Sequence, residues 1–149
     1  MKALALDFGE ARIGVARSDD LGFMAHPVET VAAQPRPIAL ARIAHLASAS
    51  CCQMIVIGLP IREDGTEGTA AAKVRKFAEA LSKVLPADFP IHFHDEYRST
   101  SEAKSQLRAA GRKEKSHRPI IDQAAAVVIL QEFLDWHHRP SQWSANEPS

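Results

Sequence analysis

The sequence predicts an α/β domain, a central mixed five-stranded sheet flanked by helices. Three observations predict it. Short apolar segments at 2–7, 13–18 and 28–31 follow one another with turn residues between them. Two later apolar segments, 53–57 and 90–95, are separated by a stretch with helical spacing. The 149 residues suffice for one domain with a real core.

Residues 2–7 (KALALD) form an apolar run closed by an acid, and 13–18 (IGVARS) resume an extended pattern after Gly9. With the apolar stretch from Val28 to Val31 they read as a meander of three strands. Pro35 and Pro37 punctuate the chain, and the Ala-rich run from Ile38 to Ala49 is expected to be helical. Residues 53–57 (QMIVI) suit a buried strand, which Gly58 and Pro60 should stop. The segment 60–68 (PIREDGTEG) reads as a loop. Beyond it Val74, Phe77, Ala78, Leu81 and Leu85 recur at helical spacing, with Lys73, Lys76, Glu79 and Lys83 between them, and Pro86 closes the helix. Residues 90–95 (PIHFHD) alternate as a strand does, and the helical crossover before them predicts that they run parallel to 53–57. Ser99 and Glu102 have capping-box spacing, so a helix is expected from there to Gly111. A basic loop, 112–119 (RKEKSHRP), leads to a last helix from Ile120 onward, marked by Ala126, Ile129 and Phe133. Residues 1–138 make the domain, and 139–149 are expected to be a disordered tail.

Lys plus Arg and Asp plus Glu both total 18, so net charge neither points to a nucleic-acid partner nor excludes one. The two cysteines, Cys51 and Cys52, are adjacent and poorly placed for an unstrained disulfide, which favours a reducing compartment. The N-terminus lacks the long apolar region of a signal peptide, and no stretch approaches the roughly 18 apolar residues of a membrane helix. The expectation is a cytoplasmic protein without a membrane partner. His26, His45, His92, His94, His137 and His138 are scattered, and His92 and His94 read as structural strand residues.

The acids that end apolar elements carry the chemistry. Asp7 closes a strand that should be central, and ligands of such sheets bind beyond the carboxyl ends of strands; alternatively, Asp-Phe-Gly begins a hairpin and Asp7 is a turn residue. Asp95 and Glu96 end the second parallel strand and point to opposite faces, so at most one shares a site with Asp7. Glu96, with the longer arm at the strand's tip, is preferred, and Asp95 is the alternative. Asp122 shares a helix face with Ala126, Ile129 and Phe133. It either caps free amides at the helix start or meets a metal or a basic partner, since an unpaired charge on that stripe is costly. Three carboxylates from separate elements suit magnesium or manganese, not zinc.

Four segments carry a resemblance: ALDFGEARIGVARSD at 5–19, IVIGLPIREDGTEG at 55–68, FHDEYRSTSEA at 93–103 and IDQAAAVVILQEFL at 121–134. In this order they resemble the YqgF/RuvX family of pre-16S rRNA nucleases, relatives of Holliday-junction resolvases. The resemblance implies a ribonuclease H-like fold and a magnesium- or manganese-dependent nuclease. It places catalytic and metal-binding roles on Asp7, on the pair Asp95–Glu96 and on Asp122. It also turns Arg98 and the loop from Gly58 to Thr66, with Pro60 and Arg62, toward nucleic acid. Tyr97 stands where relatives often have the Arg of an Asp-Glu-Arg motif, and Arg98 lies one position on.

In a two-metal scheme the ions lie about 4 Å apart, with Asp7 bridging them and Glu96 and Asp122 completing each side. Phosphate contact needs cations, and Arg112, Lys113, Lys115, His117 and Arg118 lie together beside the entry to Asp122, with Arg12 and Arg62 as further candidates. Processing of the 5′ end of pre-16S rRNA, with a ribosomal-assembly partner, is the expected function. The rivals are a homodimeric resolvase acting on branched DNA and an actin-like nucleotide-binding module, the latter suggested by Asp-Phe-Gly followed by Gly14.

Overall fold

The computed structural model describes residues 2–96 and 118–138. The helix expected over 99–111, the residues Arg98, Arg112, Lys113, Lys115 and His117, and the tail 139–149 lie outside the described residues. The strands are β1 (Ala3–Phe8), β2 (Arg12–Ser18), β3 (Ala25–Ala32), β4 (Met54–Pro60) and β5 (Ile91–Glu96). The helices are α1 (Arg36–Ala49), α2 (Thr69–Ser82) and α3 (Arg118–His137). One mixed sheet has the order β3-β2-β1-β4-β5. β1 is central, antiparallel to β2 and parallel to β4, and β4 is parallel to β5. The meander, the parallel pair and the five strands are as the sequence predicts.

The two faces of the sheet are built from side chains of different size. Leu4, Leu6, Ile13, Val15, Ile55 and Ile57 face α1 and α2, where they pack on Ile43 and Phe77. Ala3, Ala5, Ala16, Ala25 and Val56 face α3, where Ala126, Ile129, Leu130, Phe133 and Leu134 cover them. Burying each large aliphatic side chain contributes about 1.5–3 kcal/mol, and both sets are almost wholly buried. α3 is tied to both edges of the sheet. Gln123 Nε2 donates to Thr30 Oγ1 at 3.1 Å and Ala25 N–H to Gln131 Oε1 at 2.9 Å, while His94 Nε2 lies 2.8 Å from Glu132 Oε2.

Several boundaries differ from the sequence reading. β4 runs through Gly58 to Pro60 because β5 continues beside it, pairing Gly58 with His94 and Pro60 with Glu96. Pro60 is the strand's last residue, so its missing N–H does not interrupt the ladder. β3 extends from Ala25 to Ala32 along β2. α1 starts at Arg36, with Pro37 in its first turn where a proline needs no amide partner. α2 starts at Thr69 and ends at Ser82, ahead of Pro86. α3 opens at Arg118, so the last two residues of the expected basic loop are helical.

Candidate active site

Strand pleating decides which acids share a face. On β1, Asp7 follows the parity of Ala3 and Ala5 and so belongs to the α3 side, where it is 5% exposed. Gly14 is its cross-strand partner on β2. A Cβ on Gly14 would lie 1.9 Å from the main-chain oxygen of Asp122, so the start of α3 rests directly on the strand beside Asp7. That contact needs a glycine and brings two of the three acids to one edge.

On β5, Ile91 and Phe93 pack with the α1–α2 core, which puts His92, His94 and Glu96 on the α3 side. His92 and His94 bear this out through contacts with Phe133 and Glu132 of α3. Glu96 is 6% exposed and its carboxylate lies over Gly58, where a Cβ would meet Oε1 at 2.4 Å. Asp95 is exposed and takes the opposite parity, that of Leu59, its register partner. Of the adjacent pair, Glu96 therefore shares a face with Asp7 and Asp122.

Asp122 is engaged by a cation of its own chain. Arg12 Nε donates to Asp122 Oδ2 at 3.0 Å, with the side chains 36% and 18% exposed. Arg12 has the parity of Gly14 and Ala16, so it too faces α3. Among the described residues no three His, Cys, Asp or Glu side chains are drawn around one point closely enough to hold a metal ion. The three carboxylates thus stand on one face and one edge, with Asp122 turned to Arg12.

The loop after β4 has an ordered backbone. Arg62 N–H donates to Thr66 O at 2.9 Å, Gly65 N–H to Arg62 O at 2.8 Å, and Ile61 bridges Glu67. Gly65 supplies the positive φ of 86° that this turn requires. The Thr66 hydroxyl donates to Asp64 Oδ1 at 2.6 Å and holds that carboxyl below its ordinary range, with the Thr66 amide adding to the effect. Glu67 accepts two hydrogen bonds from Arg75, which lower its pKa and fasten the loop to α2. Arg62 is exposed, with its guanidinium against the main chain of Gly68. Arg118 opens α3.

Sequence reasoning reached the three acids but missed how glycines place them. Gly14 was visible only as part of a possible phosphate loop, and Gly58 as a strand breaker at the start of a loop turned toward nucleic acid. The spacing from Asp7 across a tight turn to Gly14 was the available signal, since a hairpin register pairs them. Glu10 and Lys73, which form an ion pair near the same edge, were not singled out.

Comparison with known proteins bears on this geometry. Residues 1–136 match the RuvX family, described as Holliday junction resolvase. A relative from Streptomyces avermitilis is 46% identical, covering 90% of this chain and 85% of its own. One from Chloroflexus aggregans is 39% identical, covering 92% and 95%. Both are provisionally named pre-16S rRNA nuclease. Among solved structures, T. thermophilus RuvC in complex with Holliday junction substrate superposes with a TM-score of 0.58 at 13% identity, covering 93% of this chain and 97% of that one. The Fowlpox virus resolvase in its substrate Holliday junction DNA complex gives 0.52 at 8% identity, covering 93% and 100%. At these identities the structural likeness speaks for the fold, which is ribonuclease H-like. Among the described residues no helix is long and apolar enough to cross a membrane.

Proposed function

We infer the function from one premise: this chain belongs to the RuvX family. It is a nuclease, and its reaction is hydrolysis of a phosphodiester bond. The substrate we propose is the 5′ region of precursor 16S rRNA, since relatives spanning nine-tenths of the chain bear that name. The observation that carries the catalytic reading is the shared placement of Asp7, Glu96 and Asp122. They come from β1, β5 and α3, on the face of the sheet covered by α3, with Asp7 and Glu96 buried.

The donor set fits a hard divalent cation, magnesium or manganese, because every candidate ligand is a carboxylate oxygen. Asp7, Glu96 and Asp122 would hold it, and when bound it would supply Lewis acidity and an activated water. The chain's own residues do the rest. Burial of Asp7 and Glu96 keeps them in a poorly screened place, where a cation is held more strongly than in water. Arg12 balances Asp122 and stands at the mouth, where its guanidinium can turn to a substrate phosphate. Arg62 adds positive charge from the loop after β4. The proposed partners are nucleic acid and a ribosomal-assembly factor, and the free cysteines Cys51 and Cys52 suit the cytoplasm.

A second reading, cleavage of four-way DNA junctions by a homodimer, is favoured by the family's description. One experiment separates the two. Labelled 16S rRNA precursor and a synthetic junction are incubated with manganese, magnesium or chelator, using wild type and Asp7→Asn. Metal-dependent cutting of the RNA alone, lost in the variant, is expected. Paired symmetric cuts in the junction would transfer the activity to DNA, and cutting retained by Asp7→Asn would overturn the site.

A further inference from the structure

A cleft of about 380 Å³ opens at the C-terminal edge of β1 and β4, on the α2 side. Phe8, Pro60 and Val74 give it apolar walls, and Thr69, Lys73 and Glu10 stand around them. Phe8 follows Asp7 on β1, and Pro60 is the register partner of Glu96, so the cleft shares the strand ends of both buried acids and opens on the opposite face of the sheet. Its volume is at the small end of ligand sites, room for one nucleotide and not a stacked pair. The Lys73 ammonium donates to the Glu10 carboxylate, with both side chains half or more exposed, at 51% and 71%. A donor and an acceptor side by side above an apolar wall match the mixed edge of a nucleobase.

We propose that this cleft is a subsite for one unstacked nucleotide of the substrate strand, its base against Phe8, Pro60 and Val74 and its edge read by Lys73 and Glu10. The inference rests on the nuclease reading. A base lodged here leaves its own backbone at the sheet edge where Asp7 and Glu96 stand, so base capture sets the register of the strand over the carboxylates. A free nucleotide would gain nothing from that alignment. The site selects single-stranded or opened segments, because a base paired in a duplex cannot enter. Aromatic and apolar contact with one base is tolerant of sequence, and the Lys73–Glu10 pair adds preference among bases.

The test fills the cleft from an exposed wall. Ala70 lies in the first turn of α2, exposed and lining the cleft, so Ala70→Trp adds bulk there without entering the core. Full-length wild type, Ala70→Trp and Ala70→Ser are compared for binding a short single-stranded RNA, the same sequence as a duplex, and AMP. Cleavage of precursor RNA is measured in the same buffer. The expected result is roughly ten-fold weaker single-strand binding for Ala70→Trp. Duplex binding and thermal melting should be unchanged, and Ala70→Ser should behave as wild type. Unaltered single-strand affinity in Ala70→Trp, with wild type still cutting RNA, would overturn the subsite and leave the nuclease standing. AMP bound as tightly as the RNA would replace it with a free-nucleotide site. Wild type that neither binds nor cuts any substrate would remove both readings.

Discussion

Gly14→Ala is the sharpest perturbation of the proposed site, because it acts through backbone against backbone. The new Cβ would sit 1.9 Å from Asp122 O, 2.3 Å from Asp122 C and 3.0 Å from Gln123 N. Ordinary contact begins near 3.4 Å, so the start of α3 and β2 must part by about 1.5 Å. None of the three atoms belongs to a flexible side chain, and α3 is held elsewhere by Ile129, Leu130 and Leu134 at full burial. Overpacking a core costs about 1–3 kcal/mol, and with no side chain to yield the cost should reach the top of that range. For a chain of this size about 3 kcal/mol corresponds to a fall of roughly 6–12 °C in Tm. The carboxylate of Asp122 moves with its main chain, and a misplacement of about 1 Å can cost on the order of 100-fold in rate. Urea titration followed by circular dichroism reads the first effect, and single-turnover cleavage with manganese reads the second. Gly65→Ala is the control: nothing lies within 4 Å of its Cβ, and its positive φ costs about 1 kcal/mol without touching Asp122. A Gly14→Ala protein within 1 kcal/mol of wild type by these titrations, cleaving at an ordinary rate, would refute the seating of α3 on β2.

Two further substitutions probe the neighbouring residues. Gly58→Ala brings a Cβ to 2.4 Å from Glu96 Oε1 and 2.6 Å from Ile129 Cδ1, both side-chain ends that can move. It should cost only about 1–2 kcal/mol of stability while raising the manganese concentration needed for cleavage; adding Ile129→Val should recover the stability and not the metal dependence. Arg12→Gln removes the cation that competes for Asp122. Manganese should bind the free protein roughly three- to ten-fold more tightly, the scale of a screened charge removed at close range, while substrate binding weakens. Looser manganese binding in a calorimetric titration would show that Arg12 supports the metal site instead of opposing it.

The architecture was legible because strand and helix periods are written in the apolar residues. The meander, the parallel crossover and the centrality of β1 all follow from them. Asp122 was legible for the same reason, as a charge on the stripe of Ala126, Ile129 and Phe133. The choice between Asp95 and Glu96 was open in the sequence because alternation names two faces of β5 without saying which lies under which helix. Ile91 and Phe93 mark the face toward α2. The other face, His92, His94 and Glu96, looks like solvent in the sequence, yet α3 covers part of it and answers His94 with Glu132. An edge strand that reads as half exposed therefore carries Glu96 of the proposed site on its covered face.

What joins these observations is the size of the side chains between α3 and the sheet. Ala3, Ala5, Ala16, Ala25 and Ala126 are small, whereas leucines, isoleucines and Phe77 fill the opposite face. Small residues let the axis of α3 lie close to the strands, and Gly14 carries that row to its limit at the end where Asp122 enters. A short aspartate on a helix can then approach acids on the sheet that it could not reach across a layer of leucines. The alanine row on this face thus serves the proposed chemistry as much as the packing. Enlarging it at Ala3, four residues along β1 from Asp7, should raise α3 and impair cleavage through Asp122. Filling the α1–α2 face by a similar volume should lower stability and leave the acids where they are.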